Sequence, residues 1–282
     1  MGFLGMGNYN KPGPGVSKNA PEKKRFFKFF ELYFRKFWKL IQLNLLYILF
    51  WIPSFAAAYF TLELGDVAVT AIFTLIGAFT IAPATAGFTY VMRNYVREQH
   101  AFMLSDFWDN FKSNFKQSAI VYLFFSVILS VAWFSLVFYI GNLGKGTIYY
   151  VAMGITAALL LVVIAANFYV YMLMVTMDLP TMGLIKNSFI FAIIGIRSNL
   201  FTFLFAGPLL AAQLLFLIPF GMLTLPTFGL SLCWFIVCFN AYPWVKKYCI
   251  DPATAKEEEE NPPEELPEGE EAEEDIVFED RS

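Results

Sequence analysis

TIYYVAMGITAALLLVVIAANFYVYMLMVTM, residues 147–177, runs for 31 residues without Asp, Glu, Lys, Arg or His. A helix crosses the roughly 30 Å hydrocarbon core of a bilayer with about 20 apolar residues, at about 1.5 Å per residue. An uncharged run of this length decides the class of the chain: it reads as a membrane-spanning helix. Outward from it, comparable runs occupy residues 40–60, 67–92, 119–140 and 200–245. The last, at 46 residues, is too long for one crossing and contains Pro219, Gly221, Pro226 and Gly229, residues that break helices and suit a tight turn. Division there predicts six spans, at about 40–60, 67–92, 119–140, 147–177, 200–220 and 226–245. The expected fold is all-α and polytopic, six transmembrane helices in three hairpins.

Composition agrees. Hydrophobic residues make up 58% of the 282 and charged residues 15%, against roughly 45–50% and about 25% in soluble domains. A soluble single-domain enzyme is excluded, because a fold of this length has too little interior to hide so much apolar surface. The charges are also segregated. Residues 251–282 hold 15 of the 23 acidic residues and 2 of the 20 basic ones, leaving residues 1–250 with a net charge of +10. Three regions follow: a flexible, Gly- and Pro-rich segment 1–25, a membrane domain 26–250, and an acidic tail 251–282 too polar to bury a core and expected to be disordered.

Orientation follows from the basic residues. With the N-terminus in the cytoplasm, 19 of the 20 Lys and Arg fall on the cytoplasmic side, and Lys145 alone lies outside. The expectation is a multi-pass protein of the cell membrane with both termini cytoplasmic. Its connections on the outer side are too short to form a domain.

The cytoplasmic connections, 93–118 and 178–199, are longer. In 104–116, Leu104, Phe107, Trp108, Phe111 and Phe115 recur at three- and four-residue steps, while Asp109, Lys112 and Lys116 point elsewhere, and Ser105 or Asp106 can cap the start. This predicts an amphipathic helix lying in the membrane surface with lysines reaching lipid phosphates. Residues 26–39, rich in Phe among Lys and Arg, predict a second such helix. Phe111-Lys112-Ser113-Asn114-Phe115 resembles Ile196-Arg197-Ser198-Asn199-Leu200, and residues 42–50 resemble 117–125. These matches suggest three units, each a basic surface helix followed by a membrane hairpin.

Buried chemistry is scarce. No ionisable residue lies within the core of any predicted span, so a pump built on intramembrane carboxylates is not expected. Asn44, Asn167, Gln213 and Asn240 read as interhelical hydrogen-bonding groups. His100 is the one histidine, and with Glu98 two residues away on another helix face it makes no metal site. No phosphate-binding loop, dinucleotide fingerprint or nucleophile elbow is present. No metal, cofactor or nucleic acid is expected; the basic residues hug the membrane, and anionic inner-leaflet lipid accounts for them better.

Candidate residues for docking a partner or lipid are Arg93, Arg97, Glu98, His100, Asp106, Trp108, Lys112 and Lys116. Pro83, Thr85 and Gly87 in the second span permit a kink and a close helix approach. Four stretches carry a family resemblance: Lys23-Lys24-Arg25-Phe26-Phe27, the span end Trp51-Ile52-Pro53, Ala82-Pro83-Ala84-Thr85-Ala86-Gly87, and residues 93–100 followed by Ser105-Asp106-Phe107-Trp108. Across roughly residues 1–250 the chain resembles the YesL family of predicted integral membrane proteins of Gram-positive bacteria, whose biochemical activity is unassigned. That family is often encoded beside carbohydrate uptake systems. The resemblance implies a non-catalytic accessory or partner-docking component of sugar uptake, with uptake transporter components as partners. The alternative is a transporter or permease subunit for a small solute; no catalytic residue is expected.

Overall fold

Three short helices each lead, through one non-helical residue, into a long apolar one. In a computed structural model describing residues 23–215, 219 and 221–254, α1 (Arg25–Arg35) precedes α2 (Phe37–Leu49) and α3 (Ile52–Phe60). A turn at Leu62–Leu64 returns the chain through α4 (Asp66–Phe79) and α5 (Ile81–Val96). The order repeats with α6 (Met103–Ser113), α7 (Phe115–Gly141), a turn at Leu143–Lys145 and α8 (Thr147–Met174), then with α9 (Thr181–Ile194) and α10 (Ile196–Leu215). A last segment, Met222–Thr254, comprises α11 (Met222–Thr224), a π-helical turn at Leu225–Gly229, α12 (Leu230–Val245) and a second π turn. The one-residue breaks fall at Lys36, Asn114 and Gly195. The turns at Leu62–Leu64 and Leu143–Lys145 are each a 3₁₀ turn closed by a glycine at positive φ, Gly65 at 90° and Gly146 at 153°.

Among the described residues, five helical segments are long and apolar enough to cross a membrane: Phe37–Phe60, Phe115–Gly141, Thr147–Met174, Ile196–Leu215 and Met222–Thr254. The bent pair α4–α5 makes a sixth. No strand occurs among the described residues. The protein is an all-α polytopic membrane protein.

The structure departs from the expected elements in four places. The second span is not one helix but bends by 50° between α4 and α5, at Thr80. Pro83 has no N–H to give the carbonyl four residues back, so the ladder stops before it; Pro83 is instead accommodated in the first turn of α5. Pro226, expected where a tight turn gives way to the last span, and Gly229 lie inside one continuous helical segment, Met222–Thr254. A π turn absorbs the missing donor, and buried Asn44 takes the freed carbonyls: its Nδ2 donates to Leu225 O at 2.8 Å and Pro226 O at 2.7 Å, and its Oδ1 accepts from Ser231 N at 2.7 Å. Connection 178–199 holds no basic surface helix but the apolar α9, with Lys186 its one charge. The repeat is also out of register with the matched sequences. Asn114 is the break residue in one unit, but Gly195, four residues before Asn199, is the break in the next. The segment 1–25, expected to be flexible, lies outside the described residues as far as position 22, and the acidic tail 251–282, expected to be disordered, does so from 255 onward, residues 251–254 being helical.

The three units close into a ring. The returning helices α5, α8 and α12 touch one another in the middle and supply most of the buried core, including Phe88, Met92, Tyr169, Leu173 and Phe235. Each short helix packs on the returning helix of the unit before it. Phe107 of α6 meets Gly87 of α5, Phe191 of α9 stacks on Tyr169 of α8, and Phe29 and Tyr33 of α1 meet Phe235 of α12. Helix α1 thereby joins the first unit to the last.

Candidate functional site at the basic end

Helix α5 carries Thr85, Thr89 and Arg93 at four-residue steps, on one face directed at its neighbours. Thr85 donates to Ile81 O at 2.7 Å, so the Tyr47 hydroxyl, 2.8 Å from Thr85 Oγ1, is the donor between α2 and α5. Thr89 donates to Thr85 O at 2.6 Å and accepts from Trp234 Nε1 of α12 at 2.9 Å. These hydroxyls satisfy themselves on their own helix and still bind a partner across it, which fits polar groups inside a bilayer.

Arg93 completes the ladder. Its guanidinium donates to the carbonyl of Val175 and to Thr176 Oγ1 at 3.2 Å, immediately after α8 ends. It also donates to Asn94 Oδ1 and lies 4.5 Å from the centre of the Tyr90 ring. The carbonyls at a helix C-terminus lack internal donors and carry partial negative charge, so a cation is well placed there. Arg93 is only 6% exposed. The sequence grouped it with residues facing lipid or a partner; the structure removes it from that face and makes it a clamp between α5 and α8.

Arg97, one turn on, is half-buried with its guanidinium 5.5 Å from the centre of the Tyr242 ring of α12. Glu98 then leaves the helix with φ of 63°, a backbone region uncommon outside glycine. Its carboxylate takes Arg35 Nη2 at 3.0 Å and Lys28 Nζ at 3.1 Å, both from α1. Hydrogen bonds from Arg35 first, and then Lys28, hold the Glu98 carboxyl below the usual carboxylate range. Arg25 fastens the other end of α1, donating to Phe239 O at 3.0 Å and Asn240 Oδ1 at 3.1 Å on α12. Helix α1 is thus a strap across the basic end. Its inner side, Leu32 and Tyr33, is buried; Phe26, Phe30, Phe34 and Trp38, at four-residue steps, form an exposed stripe. None of these strap contacts was evident from the sequence. Only the spacing of Lys28 and Arg35, two turns apart on one face, hinted at a shared acceptor.

The remaining candidates sit on α6 and its flanks. His100 is exposed, its ring edge-on to Phe102 at 4.6 Å. Asp106 accepts from the backbone N–H of Phe102 at 3.0 Å and so caps α6. Trp108 is 39% exposed and packs against Phe50 of α2 and against Phe111. Lys112 and Lys116 are exposed and have no acidic partner among the described residues. Lys24, Lys186, Arg197 and Lys246, at the same end, share that condition. Gly87 lies so close to α6 that a Cβ there would come 2.5 Å from Phe107 O.

The arrangement offers cations and aromatic rings. Among the described residues no cluster of three or more His, Cys, Asp or Glu could hold a metal ion. Two shallow hollows, lined mainly by apolar side chains of α7 and α8 with Thr70 of α4 beside one of them, lie away from this end. No curated protein and no solved structure matches the chain. Residues 40–136, about a third of the chain reaching from α2 into α7, are similar to a family described as "Protein of unknown function, DUF624".

Proposed function

We propose that the chain is a non-catalytic component of the cell membrane that docks anionic inner-leaflet lipid and a partner protein through its basic end, with both termini in the cytoplasm. One contrast supports this reading. The interior polar groups Arg93, Asn44 and Asn240 are engaged in joining helices, whereas Lys112, Lys116 and their neighbours stand exposed and unpaired. Unpaired surface cations suit phosphate headgroups and an acidic protein surface. An accessory place in carbohydrate uptake, with transporter components as partners, rests on the family resemblance alone. A permease role is the second reading, favoured by the threefold repetition of helical units, a feature common in transporter folds.

Purification from native membranes in mild detergent tests the docking reading. A stoichiometric partner should co-purify and be lost on Lys112→Glu/Lys116→Glu, with the fold unchanged by circular dichroism. A partner retained by that double variant, or a lone chain that carries labelled sugar into liposomes, overturns it.

A further inference from the structure

The described stretch of the chain carries charges its own carboxylates do not balance. Residues 23–254 hold 16 basic and 8 acidic residues, and residues 255–282 hold 14 acidic and 2 basic. Exposed Lys24, Lys112, Lys116, Lys186, Arg197 and Lys246 have no acidic partner among the described residues. All six lie at the end of the bundle where the last helical segment finishes. There Asp251 to Thr254 are still helical and exposed, one turn beyond Lys246 and Lys247.

We propose that the acidic segment 255–282 of this chain docks on the cationic rim from which it emerges, and covers Lys112, Lys116 and Lys246 until another polyanion displaces it. Three considerations carry this. The first is complementary charge: the segment's surplus of carboxylates meets a rim with a surplus of amines. The second is reach. Twenty-eight residues span at most about 90 Å, while packed helices lie only about 8–10 Å apart, so every rim cation is within range. The third is tethering, since a covalently attached ligand is present at roughly millimolar effective concentration, which favours it over a free acidic partner of similar charge. The rim and Thr254, the residue that leads into the acidic segment, lie at the same end of the bundle, so the contact does not depend on which way the protein faces in the membrane. The contact goes beyond the docking reading, for it would mask the very surface a partner needs.

The test uses the full chain in nanodiscs of zwitterionic lipid with no partner present. A water-soluble carbodiimide joins a carboxylate to an amine only where the two touch. At low salt, peptide mapping should find intramolecular links from carboxylates of 257–260 and 268–275 to Lys112, Lys116 or Lys246. Raising the salt to about 1 M, where the Debye length is about 3 Å, should cut their yield about tenfold. Replacing the carboxylates of 257–260 and 268–275 by amides should abolish links from those positions while leaving the bundle untouched. Absence of the links at low salt, links only between copies, or a yield indifferent to salt each overturns the proposal. Because no partner is present, such a result leaves the docking reading standing, and loss of partner capture would not touch the crosslinks.

Discussion

Arg93 is the residue at which charge is most exposed to energetic consequence, because it is buried without a carboxylate beside it among the described residues. Its compensation is dipolar: the Val175 carbonyl and Thr176 hydroxyl just past α8, the Asn94 amide oxygen and the face of Tyr90 surround the guanidinium. That set uses the forked geometry of arginine, so a lysine, with one point of charge, leaves part of it unmet. We expect Arg93→Lys to lower stability by about 2–3 kcal/mol. Arg97→Lys, whose parent is half-exposed over Tyr242, should cost under about 1 kcal/mol. Unfolding by dodecyl sulfate, followed by circular dichroism, reads both. Equal losses would show that Arg93 is no clamp. Sequence could not have told these arginines apart. They sit one turn apart on a helix end, and which of them points at α8 depends on how α5 is rotated.

At the scale of elements, the short helices are held by contacts of unequal stiffness. A Cβ at Gly87 would meet the backbone carbonyl of Phe107 at 2.5 Å, which cannot swing aside without moving α6, whereas one at Gly195 would meet first the hydroxyl of Tyr169, the far end of a side chain, and less closely the Phe191 carbonyl at 2.9 Å. Gly87→Ala should therefore cost about 1–3 kcal/mol of stability, and Tyr169→Phe should not relieve it. Gly195→Ala should be partly rescued by Tyr169→Phe in the same unfolding assay, because the hydroxyl goes while the Phe191 carbonyl stays. Rescue of Gly87→Ala instead would mean that α6 and α9 are seated by some other contact. The spans themselves were legible because crossing a bilayer requires only length and apolarity, and both are local. The breaks at Lys36, Asn114 and Gly195 were not, since three unlike residues adopt them. What they share is the tertiary demand that a short helix fold back onto the neighbouring unit. For the same reason α9, apolar but for a few residues such as Lys186, shows no basic amphipathic periodicity, and the π turn at Leu225–Gly229 depends on Asn44, 181 residues before Leu225 in the sequence.

For the whole molecule, the ring of three units fixes which ends lie together. Helix α1 meets α12, α6 meets α5 and α9 meets α8, so all three short helices gather at one end, and the turn bearing Lys145 lies at the other. Charge then supplies a direction. Cytoplasmic retention of lysine and arginine near span ends argues that the crowded end faces inward and Lys145 outward. Burial adds a second reason: the strap bonds of Arg25, Lys28 and Arg35 bring their cations together at that end, where crossing the bilayer during insertion would be costly. In a background with Cys233, Cys238 and Cys249 replaced by Ala, a single thiol introduced by Lys145→Cys should react with an impermeant maleimide on intact cells. One introduced by Lys112→Cys should react only after the membrane is permeabilised. Labelling at 112 from outside, or at 145 only after permeabilisation, would invert the molecule and place the cationic rim, with any partner it holds, on the opposite side of the membrane.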